Sequence, residues 1–140
     1  MIFLIDHNLE GQALILLGNL TNRGWVELLS IRFVMFEEIG LSIDSNDRTV
    51  WQVAQANQMI LLTANRSMKG NDSLEQVLRE ENNANSLPVL TIGSLARFDE
   101  REYRDRCVDR IVEIVLYIEN YKGIGRLFIP YNIAFVASKT

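Results

Sequence analysis

Short apolar runs alternate with longer amphipathic segments along the chain. "IFLI" (2–5), "IRFVMF" (31–36), "MILLT" (59–63) and "PVLTI" (88–92) are near-continuous apolar stretches, the pattern of strands buried on both faces. "RLFI" (126–129) reads as a fifth strand or an extended tail. Between the runs, "GQALILLGNLTNRGW" (11–25) predicts a helix ending near Gly24. "NDRTVWQVAQANQ" (46–58) places Val50, Val53, Ala54 and Asn57 on one helical face. "DSLEQVLREENN" (72–83) does the same for Leu74, Val77 and Leu78, and 99–121 predicts the longest helix. Buried strands joined by helices of crossover length predict a parallel sheet covered on both sides. Right-handed crossovers then give an α/β fold, a three-layer α/β/α sandwich. No low-complexity linker interrupts the pattern, so 1–130 is expected to form a single domain, with 131–140 as a C-terminal tail.

The apolar and charged fractions, 48% and 23%, are those of a globular chain rather than a disordered one. A net charge of −4 argues against a nucleic-acid binder that works through bulk positive charge, but leaves room for a local basic groove. Cys107 is the only cysteine, which excludes an intrachain disulfide and a Cys-rich zinc site. Met1 leads directly into "IFLID" with no basic segment before it, and no apolar stretch has the length of a bilayer span. A cytoplasmic protein without membrane contact is expected.

In a parallel α/β sheet, ligands bind beyond the carboxyl ends of the strands. Here those ends collect acids and amides. The first strand runs into Asp6-His7-Asn8, and the second into a segment holding Glu37, Glu38, Asp44 and Asp47. The third ends in Thr63-Ala64-Asn65-Arg66, followed by Asp72. Carboxylates at close quarters repel unless a cation or proton joins them, and oxygen ligands suit Mg²⁺ or Mn²⁺. Each residue also has a local role open to it. Asp6 or Asn8 can cap the helix that follows, and Asn46 or Asp47 can cap the 46–58 helix. Asp72 or Ser73 with Glu75 or Gln76 resembles a capping box. Thr63 reads as a strand-end residue bonding backbone. His7, the only histidine, has no histidine partner for zinc. Nucleotide-binding glycine motifs and a nucleophile elbow are absent.

Along "FLIDHNL…DRTVWQVAQANQMILLTANRSM" the chain resembles the PIN-like superfamily, in particular small bacterial PIN-like proteins that begin "FLIDENL". The resemblance covers roughly the first half. It implies a three-layer α/β/α fold and, for active members, a Mg²⁺- or Mn²⁺-dependent ribonuclease, often the toxin of a toxin–antitoxin pair. By position, Asp6 is the first metal-binding acid and Asp47 the helix acid. The third acid falls on Asn65, the one two residues later on Ser67, and His7 stands where relatives usually carry glutamate. The resemblance therefore implies a weakened ribonuclease with Asp6, Asp47 and Asn65 at its centre. Asp44 or Asp72 would act as auxiliary metal ligands, and Arg66 and Lys69 would face RNA phosphates. The alternative it leaves open is a PIN-like binding or regulatory subunit without catalysis. An antitoxin-like protein is an expected partner. The 99–121 helix carries Tyr103, Cys107, Ile111, Ile114, Ile118 and Tyr121 at helical spacing, widened by Val108, Val112, Val115 and Leu116. That width points to a second copy of the chain as a further partner.

Overall fold

Five strands pair entirely in parallel, in the order β2-β1-β3-β4-β5, in a computed structural model that describes residues 1–65 and 70–130. They are β1 (Ile2–Ile5), β2 (Arg32–Met35), β3 (Met59–Thr63), β4 (Val89–Ile92) and β5 (Arg126–Ile129). The helices are α1 (Glu10–Asn22), α2 (Trp25–Leu28), α3 (Asp47–Ala56), α4 (Leu74–Glu81) and α5 (Arg101–Leu116). "RLFI" is thus a strand at the sheet edge, and the expected tail at 131–140 lies outside the described residues. No described helix is long and apolar enough to cross a membrane.

Period-two alternation along the strands divides the core in two. Phe3, Ile5, Ile60, Leu62, Leu90 and Ile92 point to one face, where Ala13, Leu16 and Leu20 of α1 and Cys107, Val108 and Ile111 of α5 cover them. Leu4, Val34, Leu61 and Val89 point to the other, beneath Val50, Trp51 and Ala54 of α3 and Leu74 and Val77 of α4. Three layers result, as the sequence pattern predicts. Leu90 is fully buried at the centre of the first core. Truncating it to alanine removes apolar area and leaves a cavity, a loss of about 2–5 kcal/mol. Urea unfolding of Leu90→Ala measures this, and a cost below about 1 kcal/mol would contradict the packing described.

The connections do not all share one hand. The step from β1 to β2 runs toward one edge with α1 on the first face, while β2 to β3 and β3 to β4 run toward the other edge with α3 and α4 on the second face. These three crossovers have the same hand. The step from β4 to β5 continues toward that second edge, yet α5 lies on the first face beside α1. Its crossover has the opposite hand, which corrects the expectation of uniformly right-handed connections. The physical reason is cover. Ile60, Leu62, Leu90 and Ile92 share the first face with the β1 side chains, and α5 removes that face from water. The apolar area buried this way outweighs a preference of connection geometry.

The helix expected over 99–121 ends at Leu116, followed by a 3-10 turn at Ile118–Asn120. The break turns Tyr121 back inward, where its hydroxyl donates to Glu113 Oε1 at 2.8 Å and accepts from Arg110 Nη1 at 3.1 Å. Most of the wide apolar stripe of α5 is buried within the chain. Tyr103, Cys107, Val108, Ile111, Val112, Ile114 and Tyr121 are buried, and only Leu116 and Tyr117 remain exposed. Val115 and Ile118 are half-buried at the same end of the stripe. Burial pushes the Cys107 thiol up to about 12. It should therefore stay unmodified by disulfide reagents in the native protein at mildly alkaline pH and react fully in denaturant. Native-state labelling at the rate of a free thiol would contradict this placement.

Candidate functional site

β1 lies between β2 and β3, so chain order reverses there, and the crevice beyond the carboxyl ends of β1 and β3 is the switch point of the sheet. Backbone pairing carries Asp6 to that crevice. Its N–H donates to the Leu62 carbonyl at 3.0 Å, extending the β1–β3 ladder one residue past β1. The chain then folds into a 3-10 turn at His7–Leu9, and the Asn8 N–H reaches Asp6 Oδ1 at 3.4 Å. Asp6 thus serves as a cap, but through one long hydrogen bond. Its other oxygen is held more firmly: the Thr63 hydroxyl donates to Asp6 Oδ2 at 2.6 Å.

Thr63 ends β3 and is almost fully buried. The same hydroxyl oxygen accepts from the Asn65 N–H at 2.9 Å, so one side chain fixes both Asp6 and the turn after β3. The side-chain amide of Asn65 then donates to Asp47 Oδ2 at 2.9 Å. Asp47 is available for this because Asn46, not Asp47, caps α3: Asn46 Oδ1 accepts from the Thr49 N–H at 2.8 Å. Asp47 Oδ2 also accepts from the Leu74 N–H at 3.0 Å, tying the start of α4 to the crevice. Ser73 caps α4 through the Gln76 N–H at 3.2 Å.

Asp6, Asp47, Thr63 and Asn65 line one cavity of about 120 Å³. Phe36, Ile43 and Val50 supply apolar wall on it. His7 lines it as well, with Nδ1 3.5 Å from Glu10 Oε2 and its ring centroid 6.3 Å from that of Phe36. Asp6, Asp47 and Asn65 therefore come together, from the end of β1, the start of α3 and the turn after β3.

The two auxiliary acids do not join them. Asp44 is exposed on the loop before α3 and is not part of the cavity wall. Asp72 is taken by Arg48, whose Nε donates to Asp72 Oδ1 at 2.7 Å. Arg48 also pairs with Glu80 at 2.7 Å and with Glu81, and donates to the Asn71 carbonyl at 2.7 Å. Asp72, Glu80 and Glu81, in that order, raise the pKa of its guanidinium. Glu80 and Glu81 are shifted down, Glu80 first by Gln76 and Glu81 first by Gln52, with Arg48 next for both. Of the two acids expected as auxiliary metal ligands, Asp44 thus faces solvent and Asp72 pairs with Arg48, both apart from the cavity wall. Arg66, Ser67 and Lys69 lie outside the described residues.

Among the described residues, no group of three or more His, Cys, Asp and Glu side chains is gathered to hold a metal ion. The donors present still fit a hydrated Mg²⁺ or Mn²⁺, which is commonly held by one or two carboxylates and keeps several waters. An ionised carboxylate has about four acceptor positions. Asp6 uses two, for Asn8 and Thr63, and Asp47 uses two, for Asn65 and Leu74. Both therefore retain oxygen lone pairs.

Sequence reasoning missed two residues. Thr63 bonds backbone as expected, but its bond to Asp6 joins positions 57 apart. Arg126, at the start of β5, donates through Nη1 to the Asn65 carbonyl at 2.6 Å. The one signal for it is a charged residue opening an otherwise apolar strand. No protein-family model, curated protein or solved structure matches this chain.

Proposed function

We propose that the crevice holds a hydrated Mg²⁺ or Mn²⁺ between Asp6 and Asp47, and that the protein is a PIN-like, slow, metal-dependent ribonuclease. The observation that carries this reading is the convergence of two hydrogen-bonded carboxylates, from separate elements, on one cavity at the switch point of the sheet. When bound, such an ion activates water and offsets charge building on a phosphodiester. Asp6 and Asp47 supply the anionic oxygens. Thr63 holds Asp6 in one orientation through its hydroxyl. Asn65 fixes Asp47 and adds a neutral amide where the PIN-like pattern has an acid, which lowers the charge that attracts the cation. Arg66 and Lys69 belong to the same proposal as phosphate contacts from the adjoining segment.

A second reading has its own support. The Asn65 amide already satisfies part of Asp47, which lessens the need for an ion there. A non-catalytic PIN-like binding subunit follows from that. The two separate in one experiment: incubation with mixed single-stranded RNA across a Mn²⁺ titration, with a chelator control. Slow cleavage that rises with Mn²⁺ and stops on chelation is the expected result. A folded protein that is inert at every Mn²⁺ concentration removes the ribonuclease reading and leaves the binding subunit.

A further inference from the structure

Arg126 approaches the turn after β3 from the sheet edge opposite β2. Its side chain is 7% exposed, reaching from β5 past β4 to the turn after β3. Nη1 donates both to the Asn65 carbonyl at 2.6 Å and to Thr91 Oγ1 at 2.9 Å, while Nε lies 3.8 Å from Glu75 Oε2 of α4. A buried ion pair is weak evidence for stability, since its desolvation opposes its attraction. The contact with Asn65 gives it a different meaning.

Described residues hold Asn65 at three points. Its N–H donates to Thr63, which holds Asp6; its side chain donates to Asp47; its carbonyl accepts from Arg126. The two carboxylates are therefore linked through this one residue, and Arg126 grips its backbone from behind. We infer that Arg126 is a positioning residue, which sets the placement of Asp6 and Asp47 by clamping Asn65. Its functional meaning rests on the ribonuclease reading, but the clamp itself does not. Because metal ligands are oriented by the groups that support them, loss of such a support typically weakens metal affinity about 10–100-fold.

The test compares wild type, Arg126→Met, Arg126→Gln, Arg126→Lys and Thr91→Val as full chains, each checked by thermal melting. The clamp is read by NMR, from the side-chain amide signals of Asn65 and the hydrogen exchange of its backbone N–H. Function is read from binding of Mn²⁺ alone. In Arg126→Met, the Asn65 amide signals should move toward solvent-exposed values and its N–H should exchange at least about tenfold faster, with Mn²⁺ affinity falling about tenfold or more. Thr91→Val removes one other acceptor described for Arg126 Nη1 and should leave the Asn65 signals in place. Arg126→Lys keeps a charged donor and should recover part of both effects; Arg126→Gln, shorter and uncharged, carries the test if the methionine variant does not fold. Unchanged Asn65 signals in folded Arg126→Met or Arg126→Gln overturn the inference. If wild type binds no Mn²⁺, the ribonuclease reading fails, while the NMR measurements still decide the clamp.

Discussion

Asp6→Asn should leave the protein folded and abolish Mn²⁺-dependent RNA cleavage. The residue lies past the end of β1, outside both apolar cores, and its backbone bond to Leu62 does not depend on the side chain. Asparagine keeps the shape and one oxygen. That oxygen can accept from Thr63, the shorter of the two side-chain contacts, so the stability cost is the long bond to Asn8, within about 1 kcal/mol. The activity loss is much larger. A metal contributes several kcal/mol to the transition state, and each 1.4 kcal/mol or so is tenfold in rate, so removing its anchoring charge should cost at least about 100-fold. Rates at the highest usable Mn²⁺, with a thermal melt beside them, measure both halves. Cleavage that continues at the wild-type rate would take Asp6 out of the mechanism and point to a contaminating nuclease.

Asn65→Asp acts in the other direction. It supplies the third acid of the PIN-like pattern, and ligand charge tunes divalent-ion affinity over orders of magnitude. Mn²⁺ affinity should rise about tenfold or more, and the cleavage rate with it. The metal-free variant should be less stable than wild type, because the donor to Asp47, now at 2.9 Å, becomes a second carboxylate. Two like charges at that distance raise the folded-state pKa of one of them. The sign follows from linkage: with a raised folded pKa, stability is fully present below the unfolded value near 4 and is lost as pH rises through the raised value. Added Mn²⁺ should reverse the deficit, so the melting temperature of Asn65→Asp should climb more steeply with Mn²⁺ than that of wild type. A variant that folds but gains neither affinity nor rate would mean that charge is not what limits this crevice.

The sequence by itself determined the elements. Apolar runs of four to six residues, too short for helices, pointed to buried strands, and their alternation with helical periods placed β1 to β4 and α3 to α5 close to where they lie. The caps were legible to within one residue, because a cap bonds to backbone two or three positions along the chain: the structure chose Asn46 over Asp47 and Ser73 over Asp72, through Thr49 and Gln76. Asp6 was legible as a residue at the end of a buried strand.

Tertiary structure decided what those residues do. Asp47 and Asp72 are both acids beside a helix start, yet one faces the crevice and the other is drawn to Arg48, 24 positions earlier. Strand order, which put the switch point between β1 and β3, depends on pairings that no local pattern encodes. So does the hand of the last crossover, set by which face of the sheet lacked cover. The break after Leu116 follows from partners Tyr121 finds on the preceding helix, not from a helix-breaking residue at 117. The links of the candidate site span 57, 18 and 61 positions, from Thr63 to Asp6, Asn65 to Asp47 and Arg126 to Asn65. Periodicity and capping act over one or two turns of chain, whereas these bonds exist only once the sheet has brought distant ends together.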